Sequence, residues 1–538
     1  MKKRIILIAC ALAAGLGPAA AQQIVTGGRV ITGPDFISPY KLLFSQNDYV
    51  YGTSRTAAMG GAFTSLGADL SSMNINPAGL GMYQSSDWGI TQSLSVNAMK
   101  TGSPNMTPGT ISSGGNRVSY GLNNVSMAYN LFNRSKGLTS LTVGFGFNRA
   151  ANFNSRSYIS TTGERTSIAE MFQNQLQLMR DDTKNPIYPE DLASSKYPFE
   201  NGGIYTDEWG AVLGYQTGLV GYSGGQYNMR NGLTPANVEF QSITKGGIYE
   251  YSLSLGANVG NILYLGATLG IQQINYTEET SYEEYYSGAV ITDMWYDQNT
   301  KITGSGFTMK LGAILRPVSA MRIGLAFHLP TYYTVEKSYN STMFGGTSSA
   351  NSGSTLIDER LFNTAPRLLA GISYVIADRA ILAADYERVW NNKISERSSY
   401  ANRIDESRQE SANLYKPSNT VRAGLEILAS DVVSVRAGGG YQMDFMQDKN
   451  AMTDTPFVKS SWSVTGGLGF NVGRNAYVDL SYLFNRASYT HYDLFYFRYG
   501  DDLPVSQFDG TYPENDTDRF YIPRKNLHQI TLTIGSRF

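Results

Sequence analysis

The sequence of 538 residues holds one cysteine, Cys10, and three histidines, His328, His491 and His528. A lone cysteine excludes a fold stapled by disulfides. No two histidines stand at ligand spacing, so a zinc or iron centre is not expected, and three scattered imidazoles are a poor supply of catalytic bases. Charged residues amount to 16% and the formal net charge is −1, which argues against nucleic acid as a partner. After residue 21 no run approaches the ~18 apolar residues of a membrane-crossing helix. Glycine (56) and tyrosine (37) are plentiful instead. With a mean hydropathy of −0.25, this composition suits a β-barrel whose strands are apolar on one face only.

The first residues read as an address. Met1-Lys2-Lys3-Arg4 is basic, Ile5 to Leu16 is apolar, and Ala19-Ala20-Ala21 offers an A-x-A cleavage site. A signal peptide over 1–21 is expected, and Cys10 leaves with it. Residues 22–51 are polar and interrupted by Gly27-Gly28, Gly33-Pro34 and Ser38-Pro39, which reads as an extended arm. Residues 52–84 are a compact small-residue segment. Gly60-Gly61 allows positive φ or close backbone approach, and Asn76-Pro77 marks a turn. Ala57, Ala58, Ala62, Phe63, Leu66 and Leu70 recur at helical spacing, so one short amphipathic helix is predicted there.

From residue 85 apolar residues alternate. Val478, Leu480, Tyr482 and Phe484 interleave with Asp479, Ser481, Leu483 and Asn485, and Met321, Ile323, Leu325 and Phe327 with Arg322, Gly324, Ala326 and His328. About fourteen strands follow: 85–98, 117–130, 138–152, 243–259, 262–280, 302–316, 320–340, 360–377, 379–398, 412–428, 432–446, 460–472, 475–490 and 526–538. The connections alternate short and long. One rim of tight turns and one of large loops is the pattern of an outer-membrane barrel, and a soluble sandwich has no reason to sort its loops so. The longest loop, 153–242, carries Ile168, Met171, Phe172, Leu176 and Met179, then Trp209, Val212, Leu213 and Leu219, at helical spacing. Small helices over the extracellular mouth are predicted. The expected architecture is an all-β transmembrane antiparallel barrel over 85–538 with an N-terminal hatch at 52–84.

Met59-Gly60-Gly61-Ala62-Phe63, Asp69 and Asn76-Pro77-Ala78-Gly79-Leu80 together resemble the N-terminal hatch of the FadL family. Its members are outer-membrane barrels that move long-chain fatty acids and other hydrophobic molecules. The hairpin textures around Lys310-Leu311-Gly312-Ala313, Val421-Arg422-Ala423-Gly424 and Arg436-Ala437-Gly438 resemble that family less specifically. The arm before the hatch and the loop 153–242 are larger than the family usually carries. The resemblance implies passive transport of a hydrophobic small molecule, with no reaction catalysed and no cofactor or metal. Its gating or ligand-contacting residues would be Gly60, Gly61, Phe63, Asn76, Pro77 and Ala78. It also implies a kink in an early strand that opens the wall sideways. Gly144 to Asn148, with Gly144 and Gly146 as its glycines, is the candidate, although glycines facing a crowded lumen would read the same.

The final Phe538 resembles the signal read by the barrel assembly machinery. The expected partners are therefore that machinery, outer-membrane lipid and a hydrophobic ligand. The alternative is a barrel of this type that docks secretion-system proteins. Asp501, Asp502 and Glu514 to Asp518 in the last long loop read as a solvated acidic loop, and Tyr492, Phe495, Tyr496 and Phe497 beside them as part of an aromatic girdle.

Overall fold

The computed structural model describes residues 30–32, 52–102, 111–162, 167–181, 186–193, 199, 208–287, 290–346, 348–353, 356–398, 415–445, 458–489, 495–497 and 522–538. Residues 1–21, where a signal peptide is expected, most of residues 22–51, His491 and the acidic residues 501–518 lie outside them.

Fourteen antiparallel strands form a closed wall. They are β1 (Asp87–Gly102), β2 (Asn116–Asn133), β3 (Leu138–Asn152, continued by Ser155–Thr162), β4 (Pro235–Val259), β5 (Leu263–Tyr286) and β6 (Asp293–Val318). Next come β7 (Met321–His328 and Tyr332–Gly345), β8 (Leu356–Asn363 and Arg367–Ile376) and β9 (Ala380–Val389 and Ser395–Ser398). The wall ends with β10 (Ser418–Leu428), β11 (Val433–Gln442), β12 (Val458–Val472), β13 (Ala476–Tyr489) and β14 (Ile522–Arg537). β14 pairs with β13 on one side and β1 on the other, Asp87 opposite Arg537, so the last strand closes the barrel onto the first.

Tight turns collect on one rim. At Gly260-Asn261 both residues take positive φ (63° and 59°), and the Ile262 amide donates to the Val259 carbonyl at 3.2 Å. This is the mirror-image turn that matches strand twist. On the outer surface the alternate side chains are apolar and exposed, among them Leu253, Leu255, Leu265, Leu269, Leu325, Leu480 and Ile534. That is the surface hydrocarbon requires.

The strands run further than the alternation indicates on the long-loop side. β5 spans 24 residues, roughly 80 Å at about 3.3 Å per residue, where crossing the hydrocarbon takes about 9–11. The loop predicted over 281–301 is therefore a tall hairpin with a connection at 287–292 only, and 155–162 and 235–242 of the predicted loop 153–242 are strand. Above the membrane both sheet faces carry polar residues, so alternation fades while pairing continues.

Among the described residues four α-helices stand inside or above the wall: α1 (Ser54–Ala58), α2 (Ile168–Asp181), α3 (Pro189–Leu192) and α4 (Trp209–Gln216). α2 and α4 pack on Phe240, Tyr282, Met294, Tyr296, Tyr339 and Met343. On β5 and β6 these residues share the parity of Thr268 and Lys310, which face the interior. The helices thus fold over the mouth as a cap. Backbone pairing also joins Val30–Thr32 to Phe495–Phe497.

Candidate functional site: the plugged lumen

Residues 52–86 lie inside the barrel, and their local structure follows from three caps. Thr53 caps α1 and its hydroxyl donates to Asp69 at 2.9 Å. Asp69 caps a 3-10 turn over Leu70–Met73, accepting from the Ser71 amide at 2.8 Å. Asn76 caps a second over Pro77–Met82, accepting from the Ala78 amide at 3.1 Å. The single helix predicted from Ala57 to Leu70 stops at Ala58. Gly60 and Gly61 follow at φ of +66° and +76°, which no helix continues through.

Small residues face small residues where this plug meets the wall. A Cβ at Gly60 would lie 2.5 Å from the Gly439 amide nitrogen, one at Gly467 2.6 Å from the Ala58 side chain, and one at Gly144 2.7 Å from Met73 Sδ. Gly266, Gly312, Gly324 and Gly438 likewise leave no room for a side chain against Pro77, Asn76, Thr64 and Met59. Phe63 is buried with Met59, Ala62, Leu66 and Ile75 against Ala326, Leu369 and Ala383, and Ala78 against Tyr264 and Ile314.

Polar fastenings supply what this thin packing lacks. The Asn76 amide donates to the carbonyls of Thr64 (2.6 Å), Ala313 and Leu325 (3.3 Å each), so one side chain ties the plug to β6 and β7. Asp385 accepts from the Phe63 and Thr64 amides at 2.7 Å, and Thr465 and Thr268 donate to the Ala58 and Met73 carbonyls. His328 Nε2 lies 2.8 Å from the Ile75 carbonyl. Arg55 pairs with Glu426 at 2.8 Å, which also holds Arg436 at 3.1 Å, and Arg436 reaches Asp479 at 2.5 Å. Burial alone would lower the Arg55 pKa. Glu426, then Asp69 and Asp479, overcome it and raise the value above the ordinary one, so the charge is kept.

Above the plug the lumen is layered. A polar layer holds the buried pair Lys310–Glu250 at 2.5 Å. Next comes an apolar layer including Phe153, Ile274, Tyr276, Ile302, Tyr333 and Phe362, and then the cap. Beside Gly60 and Gly61 a cavity of about 40 Å³, lined also by Thr420, Arg422, Gln442 and Asn485, has room for water.

Among the described residues the wall shows a break beside these layers, between β2 and β3. β2 and β3 pair from Asn133–Ser140 to Asn124–Asn148, and pairing resumes only where Gly114 meets Tyr158. In between, β3 stays paired with β4. Arg149 and Asn152, hydrogen-bonded to each other, and Asn154, bonded to Asn97, occupy the gap. Gly144 and Gly146 sit before it, in regular register with Ala128 and Ser126. The departure starts at Arg149, just beyond the Gly144–Asn148 stretch singled out for a kink. Gly144 itself is a seat for Met73 and Leu80.

Sequence reasoning missed Arg55, Glu426, Arg436, Asp479 and Asp385, and the wall glycines as plug contacts. A usable signal existed for the glycines. Gly312, Gly324, Gly371, Gly424 and Gly438 each follow an apolar or alanine residue, and four of them pair with one another across strands, Gly324 with Gly371 and Gly424 with Gly438.

No protein-family model matches the sequence, and no curated protein is similar to it in sequence. Solved structures are similar in fold. The Pseudomonas putida toluene transporter TodX superposes with a TM-score of 0.51 at 12% identity, covering 91% of this chain and 99% of that one. The deltaS2 mutant of the TodX monoaromatic hydrocarbon channel gives 0.53 at 12% identity, covering 91% and 100%. A Pseudomonas aeruginosa FadL homologue gives 0.48 at 11%, covering 95% and 99%, below the level at which a likeness speaks for itself. The chain therefore shares the fold of the TodX barrel, across nearly the whole length of both chains.

Proposed function

We propose that this protein is an outer-membrane channel through which hydrophobic small molecules, of fatty-acid-like or monoaromatic character, diffuse passively past a hatch formed by residues 52–84. The observation that carries the reading is the unpaired stretch between β2 and β3, level with the apolar layer of the lumen and next to the plug. A molecule held by Phe153, Ile274 and Phe362 would leave sideways there once the Arg149 and Asn152 side chains that fill the gap move aside, without removal of the whole plug. The proposal includes export through the 1–21 signal peptide and insertion guided by Phe538. TodX, which has this fold, is described as a toluene transporter, and this supports a hydrophobic cargo. The lumen then binds and releases, and no bond is made or broken. Gly60, Gly61, Phe63, Asn76, Pro77 and Ala78 set the plug's fit, and Gly144 and Gly146 its seat on β3.

The test is uptake of radiolabelled toluene and of a long-chain fatty acid by vesicles carrying the purified barrel, with mass spectrometry of molecules that copurify. Faster entry of at least one compound, reduced when Arg149 is cross-linked to β2 through an Arg149→Cys, Gly121→Cys pair, is expected. Unchanged entry, together with copurifying secretion proteins, would move the reading to a docking barrel.

A further inference from the structure

One panel of the barrel's outer surface carries a shallow recess. Across β2 to β6 the outward side chains of Met127, Phe145, Tyr251, Leu253, Leu269 and Phe307 border a shallow open groove of about 900 Å³, with Trp88 of β1 at its edge. The volume is in the range of small-molecule sites. No charged residue lines it. Its bed is reached by Ser126, Gly146, Ser252 and Gly270, the small residues of the inner face. Here the wall is barely thicker than its backbone. Immediately behind it stands the plug: a Cβ on Gly146 would lie 3.4 Å from Met73 Sδ.

We propose that this groove binds the acyl chains of one membrane lipid, held against the wall panel on which Met73 of the plug rests. The occupant follows from the surroundings. The outward residues continuing along the same strands toward the turns, Leu255, Val259 and Leu265 among them, are apolar and exposed, so the groove opens into the hydrocarbon band. Without a charge or a polar cluster it offers nothing to a headgroup and takes chain segments only. Phe147 and Tyr251, ring centroids 5.5 Å apart, stand together in its lining and add aromatic carbon to the apolar surface an alkyl chain would meet. A chain in the groove backs the thin panel from outside as Met73 backs it from inside, so lipid occupancy steadies the plug's seat. The inference rests on the barrel spanning a membrane.

The experiment compares three folded proteins in micelles doped with dipalmitoyl phosphatidylethanolamine: the natural chain, a groove-filling L253F/L269F variant, and an L480F/L532F control on β13 and β14. Heat-modifiable migration confirms each barrel. Native mass spectrometry should show one retained phospholipid for the natural chain and the control, and about ten-fold less for the filled groove. Tryptophan quenching by the same lipid brominated on its chains should saturate at one lipid per barrel, and Trp88→Phe should remove the saturating part. Equal retention in all three, or quenching that rises without saturating, overturns the proposal. So does a dimer of barrels lost only in the filled variant. Any of these in a barrel that still admits hydrophobic cargo leaves the channel reading standing.

Discussion

The plug and the cap both pack against the inner face of the wall, and they are held by opposite means. Under the cap, Trp209, Phe172, Tyr296 and Tyr339 interlock, with Trp209 against Phe199 at 5.2 Å and Phe172 against Tyr296 at 6.0 Å between ring centroids. That is an ordinary hydrophobic core, closed by Glu284, which accepts from the α2 amide of Ile168 at 2.7 Å and from Tyr282 and Tyr286 at 2.6 Å. Around the plug much of the contact with the wall is backbone to backbone across glycine, and its buried apolar side chains, Phe63, Leu66, Met73 and Leu80 among them, meet mostly small wall residues such as Ala326, Ala383 and Ala128. Its hold comes from directional bonds and from one buried ion cluster. An apolar core resists change in proportion to its area. A set of directional bonds is either in register or not, so it holds or releases as a unit.

Charge removal should separate the two most sharply. Glu426→Ala leaves Arg55 and Arg436 facing each other without their shared carboxylate, and breaking such a buried pair costs about 3–5 kcal/mol. Hydrogen exchange over residues 52–86 should rise while the cap keeps its protection. Unchanged exchange would show that the cluster does not hold the plug. The counterpart is Trp209→Ala, at about 3–5 kcal/mol for a large aromatic in a core. Protease should then cut within 163–234, with barrel migration and closed conductance unaltered. A change at the plug instead would mean that the two bodies are coupled and the contrast is false.

Gly60→Val tests packing without charge. Valine meets the Gly439 backbone and must adopt φ of +66°, a strain of about 1–3 kcal/mol. The wall closes on its own hydrogen bonds, so outer-membrane abundance should hold while single-channel conductance and antibiotic sensitivity rise. A closed, impermeable variant would deny the segment a gating role.

The same contrast explains what could be read from the chain. Wall strands announce themselves because hydrocarbon on one side and lumen on the other force alternation, as along Val478 to Phe484. The cap helices show too, since Ile168, Phe172, Leu176 and Met179 bury one stripe. Plug fastenings do not. Arg55 and Glu426 are 371 positions apart, and nothing local marks either as a partner. The tall β5–β6 hairpin hides because Glu279, Glu283 and Asp297 face water where leucine would otherwise mark a strand. The gap at Arg149 hides because glycine attracts the eye, whereas the break falls on a polar stretch whose amides bond across it.

The smallest effect expected is at Asn76, and it divides the plug's own fold from its attachment. The oxygen of this side chain caps the turn over Pro77–Met82, and its nitrogen donates to Thr64, Ala313 and Leu325. Asn76→Ala removes both, and a lost cap is worth about 0.5–2 kcal/mol. Asn76→Ser keeps an acceptor for the Ala78 amide but is too short to reach β6 and β7. If attachment matters more than the cap, both variants should raise conductance alike, by less than Gly60→Val does. If the cap matters more, serine should restore the closed state. Should neither variant change conductance or exchange at residues 74–82, the plug is held by its ion cluster, its glycine contacts and the bonds from Asp385, Thr268 and Thr465. The bonds from Asn76 to the wall would then be a consequence of its seating.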